Sequence, residues 1–129
     1  MSAFHDGPEE ILDALLAAIA ARDLGGTVAC FSADGEVSVL GSESGEAAVG
    51  IQDVTAFVGR LYSKPEGYRF DFPHRRLRLY EDVAWLAAEG EVTEPGEARP
   101  TPYRLITVFL RLDSGWRVVL WSGSEPRAS

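Results

Sequence analysis

Proton transfer in a small cavity needs a carboxylate or an imidazole held in apolar surroundings, and the sequence offers one candidate of each kind. Glu89 shares the parity of Trp85 and Ala87 in "DVAWLAAEGEVT". An apolar wall beside it would raise its pKa and suit it to acid or base work; the alternative is a solvated carboxylate near a strand end. His74 follows Tyr68, Phe70 and Phe72 at alternate positions in "GYRFDFPH". It could serve as acid or base, or stand as a surface histidine beside the basic run. Tyr103 and Thr107 share a parity in "TPYRLITVFLRLD", where they could orient a ligand's carbonyl or hydroxyl, or each satisfy one hydrogen bond as rim and core residues. Trp85 and Trp121 could stack on a flat ligand, although buried aromatics also serve as packing. Arg75, Arg76 and Arg78 could meet a phosphate or carboxylate, yet alternating charge on a strand usually marks a solvated edge that discourages aggregation.

The elements that would position these groups follow from spacing. Pro8 suits the first helical position and Glu9 and Glu10 face the positive end of the helix dipole, so a helix starts near Gly7. Ile11, Leu12, Leu15, Leu16 and Ile19 gather on one stripe, and Gly25-Gly26 marks the break. "TVACF" suits a short second helix before the turn "ADG". "EVSVL" reads as a first strand, "GSESGEAA" as a loop, and "GIQDVTAFVGRLYSKP" resumes helical spacing through Val54, Phe57, Val58 and Leu61. After Pro65 the period becomes 2. The apolar parity changes between Phe72 and Leu77, which predicts a bulge near Pro73. "DVAWLAAEGEVT", "TPYRLITVFLRLD" and "SGWRVVLW" are three more strands. Helices with one strand among them, then four strands in succession, predict an α+β fold with helices on one face of a mainly antiparallel sheet.

A chain of 129 residues with 20 acidic and 12 basic side chains carries a net charge of −8. That is the scale of one domain, 1–129, with an ordered core of about 8–126, and the charge repels nucleic acid and anionic membrane. The lone Cys30 and two histidines, His5 and His74, are too few for a zinc site built from those ligands, so no metal is implied. No Gly-rich phosphate loop follows a strand, so no organic cofactor is implied either. The N-terminal residues lack a signal-peptide pattern, and no apolar run is long enough to span a membrane. A soluble, cytoplasmic protein is expected.

The last two strands carry two apolar faces. A three-residue loop Asp113-Ser114-Gly115 would set Leu112 opposite Trp116, Phe109 opposite Val119 and Thr107 opposite Trp121. One face would then hold Leu105, Thr107, Phe109, Val119 and Trp121. The other would hold Ile106, Val108, Leu110, Leu112, Trp116, Val118 and Leu120. Helices cover one face only, so a partner sheet is the simplest cover for the second, which predicts a homodimer.

The succession of helices, "FSADGEVSVLGS", "GIQDVTAFVGRL", "LYEDVAWLAAEGEV" and "YRLITVFLRLDSGWRVVLWSGSEP" resembles the nuclear transport factor 2-like superfamily, and within it SnoaL-like domains and the association domain of calcium/calmodulin-dependent protein kinase II. The resemblance implies a cone-shaped fold whose N-terminal helices close a pocket against a curved sheet, and frequent homodimers. It implies no single chemistry. Trp121 resembles a pocket Trp of ketosteroid isomerase, which sets the pocket parity and gives the candidate lining Trp85, Glu89, Tyr103, Thr107 and Trp121. Several groups that relatives use are replaced. Positions of the kinase domain's pocket arginines align with Ala87, Thr107 and Gly123, the isomerase's acidic pair with Val39 and with Thr107 or Val108, and the "HxH" of many SnoaL-like domains with Leu120 and Ser122. Two readings follow. One is a non-catalytic domain binding a small apolar, aromatic or polycyclic molecule. The other is an isomerase, cyclase or dehydratase with Glu89 or His74 as proton carrier and Tyr103 as orienter.

Overall fold

A computed structural model describes residues 7–33, 37–42 and 45–126. His5 and part of the expected "ADG" turn lie outside them. Helix α1, Pro8–Ala20, starts as its sequence dictates: Pro8 occupies the first turn and the Gly7 N–H donates to Glu10 Oε1 at 3.1 Å. Ile11, Leu12, Leu15 and Ala18 are buried along one stripe. The helix is capped by Ala21 and the chain reverses at Arg22, whose φ is 54°, before the glycine pair is reached. Gly25 and Gly26 belong instead to a second helix, α2, Leu24–Ala29, whose N-cap Asp23 accepts from the Gly26 N–H at 3.0 Å. A side chain at position 26 would collide with that carboxylate, so the cap and the glycine go together.

Strand β1, Ser38–Leu40, is followed by β2, Ala47–Val49, inside what the sequence predicts to be a loop. Three residues with two alanines carry too little alternation to be legible, and β2 exists because β1 supplies its hydrogen bonds. Helix α3 is Ile51–Leu61 with Val54, Phe57 and Val58 buried. Its C-terminal end is tied back to the α1 turn by Arg22, whose Nη1 donates to the carbonyl of Lys64 at 2.6 Å. Strands β3, Arg69–Tyr80, β4, Val83–Thr93, β5, Thr101–Leu112, and β6, Gly115–Ser124, complete the chain. The sheet order is β2-β1-β6-β5-β4-β3, antiparallel except where β1 pairs with β6.

Two irregularities curve this sheet and decide which side chains face inward. In β3, Asp71 pairs with Glu91 and His74 with Glu89, so Phe72 and Pro73 together oppose Gly90. The bulge falls where the sequence predicts it, and Gly90 is required there because a Cβ would collide with the Asp71 carbonyl. In the β5–β6 hairpin the loop is Asp113-Ser114, one residue shorter than expected, with Leu112 opposite Gly115. A bulge at Val119 restores the register: Phe109 pairs with Val118, and Thr107 pairs with Trp121 as the spacing predicts. The consequence is a correction. Trp116 and Val118 lie in the core with Phe109, not on the outer face.

The core lies between the helices and the inner face of the sheet, built from Leu12, Leu15, Val54 and Phe57 against Ala84, Leu86, Leu105, Phe109 and Val118. Arg75 clamps the two layers, its guanidinium 3.2 Å from Glu9 and 2.9 Å from Asp13 of α1. The opposite face of the sheet carries Trp85, Ala87, Ile106, Val108 and Leu120, with Trp85 45% and Ile106 48% exposed.

Candidate functional site

The helices and the inner sheet face leave a cavity of about 100 Å³ between them. Leu15 and Ile19 of α1, Phe57 and Val58 of α3, and Val39, Phe70, Val92, Tyr103 and Trp121 of the sheet form its walls. The aromatic wall is one connected group. Phe70 makes T-shaped contacts with Tyr103 at 5.0 Å and with Trp121 at 5.2 Å between ring centroids, spacings at which ring quadrupoles attract. Gly123 makes this possible, because a Cβ there would occupy the place of the Tyr103 hydroxyl.

Two polar pairs meet the cavity. Trp121 Nε1 donates to Tyr103 Oη at 3.4 Å, so the phenol's oxygen is engaged as acceptor while its proton can be offered elsewhere. Burial above all pushes the Tyr103 phenol up to about 12; the Trp121 hydrogen bond opposes this, and the charges of Glu46 and Glu125 add to it. Tyr103 is a neutral donor at physiological pH. Thr27 Oγ1 and Tyr62 Oη share a hydrogen bond of 2.7 Å on the helical side. Gly41, Ser42, Glu46, Glu94 and Glu125 complete the lining, and Ser42 Oγ donates to Glu125 Oε2 at 3.1 Å.

Of the five side chains assigned to the pocket from sequence, Tyr103 and Trp121 line the cavity. Thr107 faces inward and is fully buried, but it lies outside the lining, and its Oγ1 has no hydrogen-bond partner among the described residues. Trp85 and Glu89 are on the outer face. The register sets Leu86, not Trp85, beside Thr107, so β4 turns Ala84, Leu86 and Ala88 inward and its odd-numbered residues outward. Glu89 forms an exposed ion pair with Arg104 at 3.0 Å. His74 is exposed and pairs with Glu89 across the strands, because the β3 bulge precedes it and flips it away from Phe72. Both proposed proton carriers therefore stand on the sheet's far side. Leu120 and Ser122 also lie on that side, with Trp121 alone between them turned inward. The sequence contained one signal for β4: Glu89 and Glu91 at alternate positions mark a wet face, and Trp85 shares it. Nothing local marked Glu46, Glu94 and Glu125, which meet only through the sheet order.

A family model for SnoaL-like domains matches residues 9–128. The chain belongs to the SnoaL-like domain family. Solved structures share its fold. A candidate calcium/calmodulin-dependent protein kinase type II association domain from Thiobacillus denitrificans is similar with a TM-score of 0.85 at 22% identity, over 98% of this chain and 100% of that one. A candidate dehydratase of the NTF2-like family from Streptomyces avermitilis gives 0.82 at 16% identity, over 92% of each chain. An NTF2-like superfamily protein from Salmonella enterica gives 0.79 at 18% identity, over 93% of this chain and 89% of that one. No curated protein matches the SnoaL-like chain in sequence. The α+β architecture, helices against a curved and mainly antiparallel sheet, is thus the NTF2-like fold expected from the sequence.

Proposed function

We propose that this SnoaL-like domain binds a small apolar or aromatic molecule in the helix–sheet cavity. The observation that carries the reading is the aromatic wall of Phe70, Tyr103 and Trp121 around a space of about 100 Å³. An apolar cavity of roughly 150 Å³ holds benzene, so the volume favours one ring over the polycyclic molecules also considered from sequence. Tyr103 would orient the ligand by donating to a carbonyl or hydroxyl oxygen. No part of this reading uses Glu89, His74, Trp85 or Thr107.

The acid/base alternative, an isomerase, cyclase or dehydratase, moves with the geometry: its proton carrier would have to be one of the carboxylates in the lining, Glu46, Glu94 or Glu125. The exposed apolar outer face supports homodimerisation through the sheet, the net charge of −8 argues against nucleic acid or anionic membrane as partner, and the free thiol of Cys30 fits a cytoplasmic setting. No helix among the described residues is long and apolar enough to cross a membrane.

Titration with ethylbenzene, phenol and benzyl alcohol, followed by tryptophan fluorescence and ligand-observed NMR, tests the binding reading. Quenching that disappears in Trp121→Phe, with binding lost in the cavity-filling Val58→Phe, is the expected result. Absence of binding by all three at millimolar concentration would overturn it.

A further inference from the structure

We infer that the cavity takes a ring with a carbonyl oxygen at each of two opposite ends, as in a para-quinone or a cyclic 1,4-dione, held by Tyr103 on the sheet side and by the Thr27–Tyr62 pair on the helical side. The inference rests on the cavity being a ligand site and adds the ligand's hydrogen-bonding pattern. It comes from following each hydroxyl proton. Tyr103 of β5, Thr27 of α2 and Tyr62, the C-cap of α3, all line the cavity. Tyr103 and Thr27 are 5% and 2% exposed. Tyr103 Oη accepts from Trp121 Nε1, and its own proton has no acceptor among the described residues. Thr27 Oγ1 and Tyr62 Oη bring two protons to one hydrogen bond of 2.7 Å. Whichever oxygen accepts in that bond keeps its own proton, again with no acceptor among the described residues.

The cavity thus offers one unspent O–H from each of two facing layers. Both phenols stay protonated at physiological pH: burial above all raises the Tyr62 pKa, against the opposing Thr27 hydrogen bond, as burial raises that of Tyr103. The helical donor is also held in place. Thr27 N donates to the Asp23 carbonyl at 2.9 Å, and Arg22 Nη1 ties down the turn after α3 through the Lys64 carbonyl at 2.6 Å. A ligand that displaces water from this space without supplying acceptors strands two O–H groups in apolar surroundings, a cost that carbonyl oxygens at both ends remove. Ligand hydroxyls fit less well, since each brings another proton and the Tyr103 oxygen is already engaged by Trp121.

Three probes of similar size test this by NMR titration at pH 7: 1,4-cyclohexanedione with two acceptors, 4-methylcyclohexanone with one, and p-xylene with none. Comparing each probe across variants cancels its own hydration. Tyr103→Phe should weaken the dione about fivefold to tenfold, one lost hydrogen bond, and leave p-xylene within about twofold. On the helical side Thr27→Val or Tyr62→Phe alone leaves a hydroxyl with its proton and should change the dione little. The double variant Thr27→Val/Tyr62→Phe should weaken it about fivefold to tenfold, with p-xylene binding retained as proof that the cavity is intact. 4-Methylcyclohexanone should respond to only one of the two sites. Dione affinity unmoved by Tyr103→Phe or by the double variant would overturn the two-ended assignment. So would p-xylene binding with no dione binding, and in either case the cavity reading would stand. Failure of all three probes to bind would remove both, and so would p-xylene binding lost together with the dione in Tyr103→Phe and in the double variant.

Discussion

Tyr103 joins three constraints in one side chain: its ring closes the aromatic wall, its oxygen accepts from Trp121, and its hydroxyl occupies the space left by Gly123. Its phenol is held in the neutral form, with its pKa raised from 10.0 to about 12, chiefly by burial. A group whose folded pKa is raised stabilises the fold fully below the unfolded value and loses that contribution as pH rises through the folded one. Stability should therefore fall between about pH 10 and pH 12, by on the order of 2 kcal/mol from this group. Chemical denaturation across that window should show a smaller fall in Tyr103→Phe than in the parent. Arginine makes the same case for reading side chains singly. Arg75 is half-buried and bridges Glu9 and Asp13, while Arg76 and Arg78 are exposed on the outer face beside Ala87 and Trp85. The expectation that all three are surface residues is thus corrected for Arg75. Arg75→Gln should cost about 1–2 kcal/mol, because the clamp is partly shielded from water and also ties Nε to the Phe72 carbonyl at 2.9 Å. Arg76→Gln and Arg78→Gln should each stay within about 0.5 kcal/mol by urea denaturation.

At the level of elements, bulges rather than strand composition determine what faces the cavity. A side-chain period of two means that one added residue reverses every later position. The β3 bulge was legible because Phe72 and Leu77 sit on opposite parities with a proline between them, yet the sequence did not say on which side of it His74 would fall. The β6 bulge left no mark, since Trp116, Val118, Val119 and Leu120 are apolar in either register. The structure places Val118 in the core with no exposed surface and leaves Val119 only partly buried at the bulge. Val118→Ala should therefore cost about 2 kcal/mol in lost burial and cavity formation. Val119→Ala should cost less than about 1 kcal/mol. Equal costs in equilibrium unfolding would contradict the observed register.

Over the whole molecule, the outer sheet face is the largest feature that the cavity does not explain. Cross-strand neighbours Trp85, Val108 and Leu120 form one row and Ala87 and Ile106 another, ringed by Arg76, Arg78, Glu89 and Arg104. An apolar centre with a charged rim is the anatomy of an interface, so the proposed homodimer should form there. Light scattering at micromolar concentration should give a dimer, and Ile106→Asp or Val108→Asp a monomer that keeps its secondary structure, a charge in a dry interface costing roughly 3–5 kcal/mol. A monomeric parent would exclude the arrangement. Val118→Asp, which looks equivalent from spacing alone, would instead disrupt the core. What the sequence by itself determined were the quantities that local chemistry controls: α1 and α3 from their apolar stripes and end signals, the four long strands from period and turns, the α+β class, and the shared face of Tyr103, Thr107 and Trp121, whose inward direction came from the family resemblance. Only the tertiary structure decided that Trp85, Glu89 and His74 face away from the cavity and that three glutamates distant in sequence line it. The reason is physical. Alternation tells which residues share a face, but which face turns inward depends on pairing registers and bulges, and side chains from separate strand ends meet only once the sheet order is fixed.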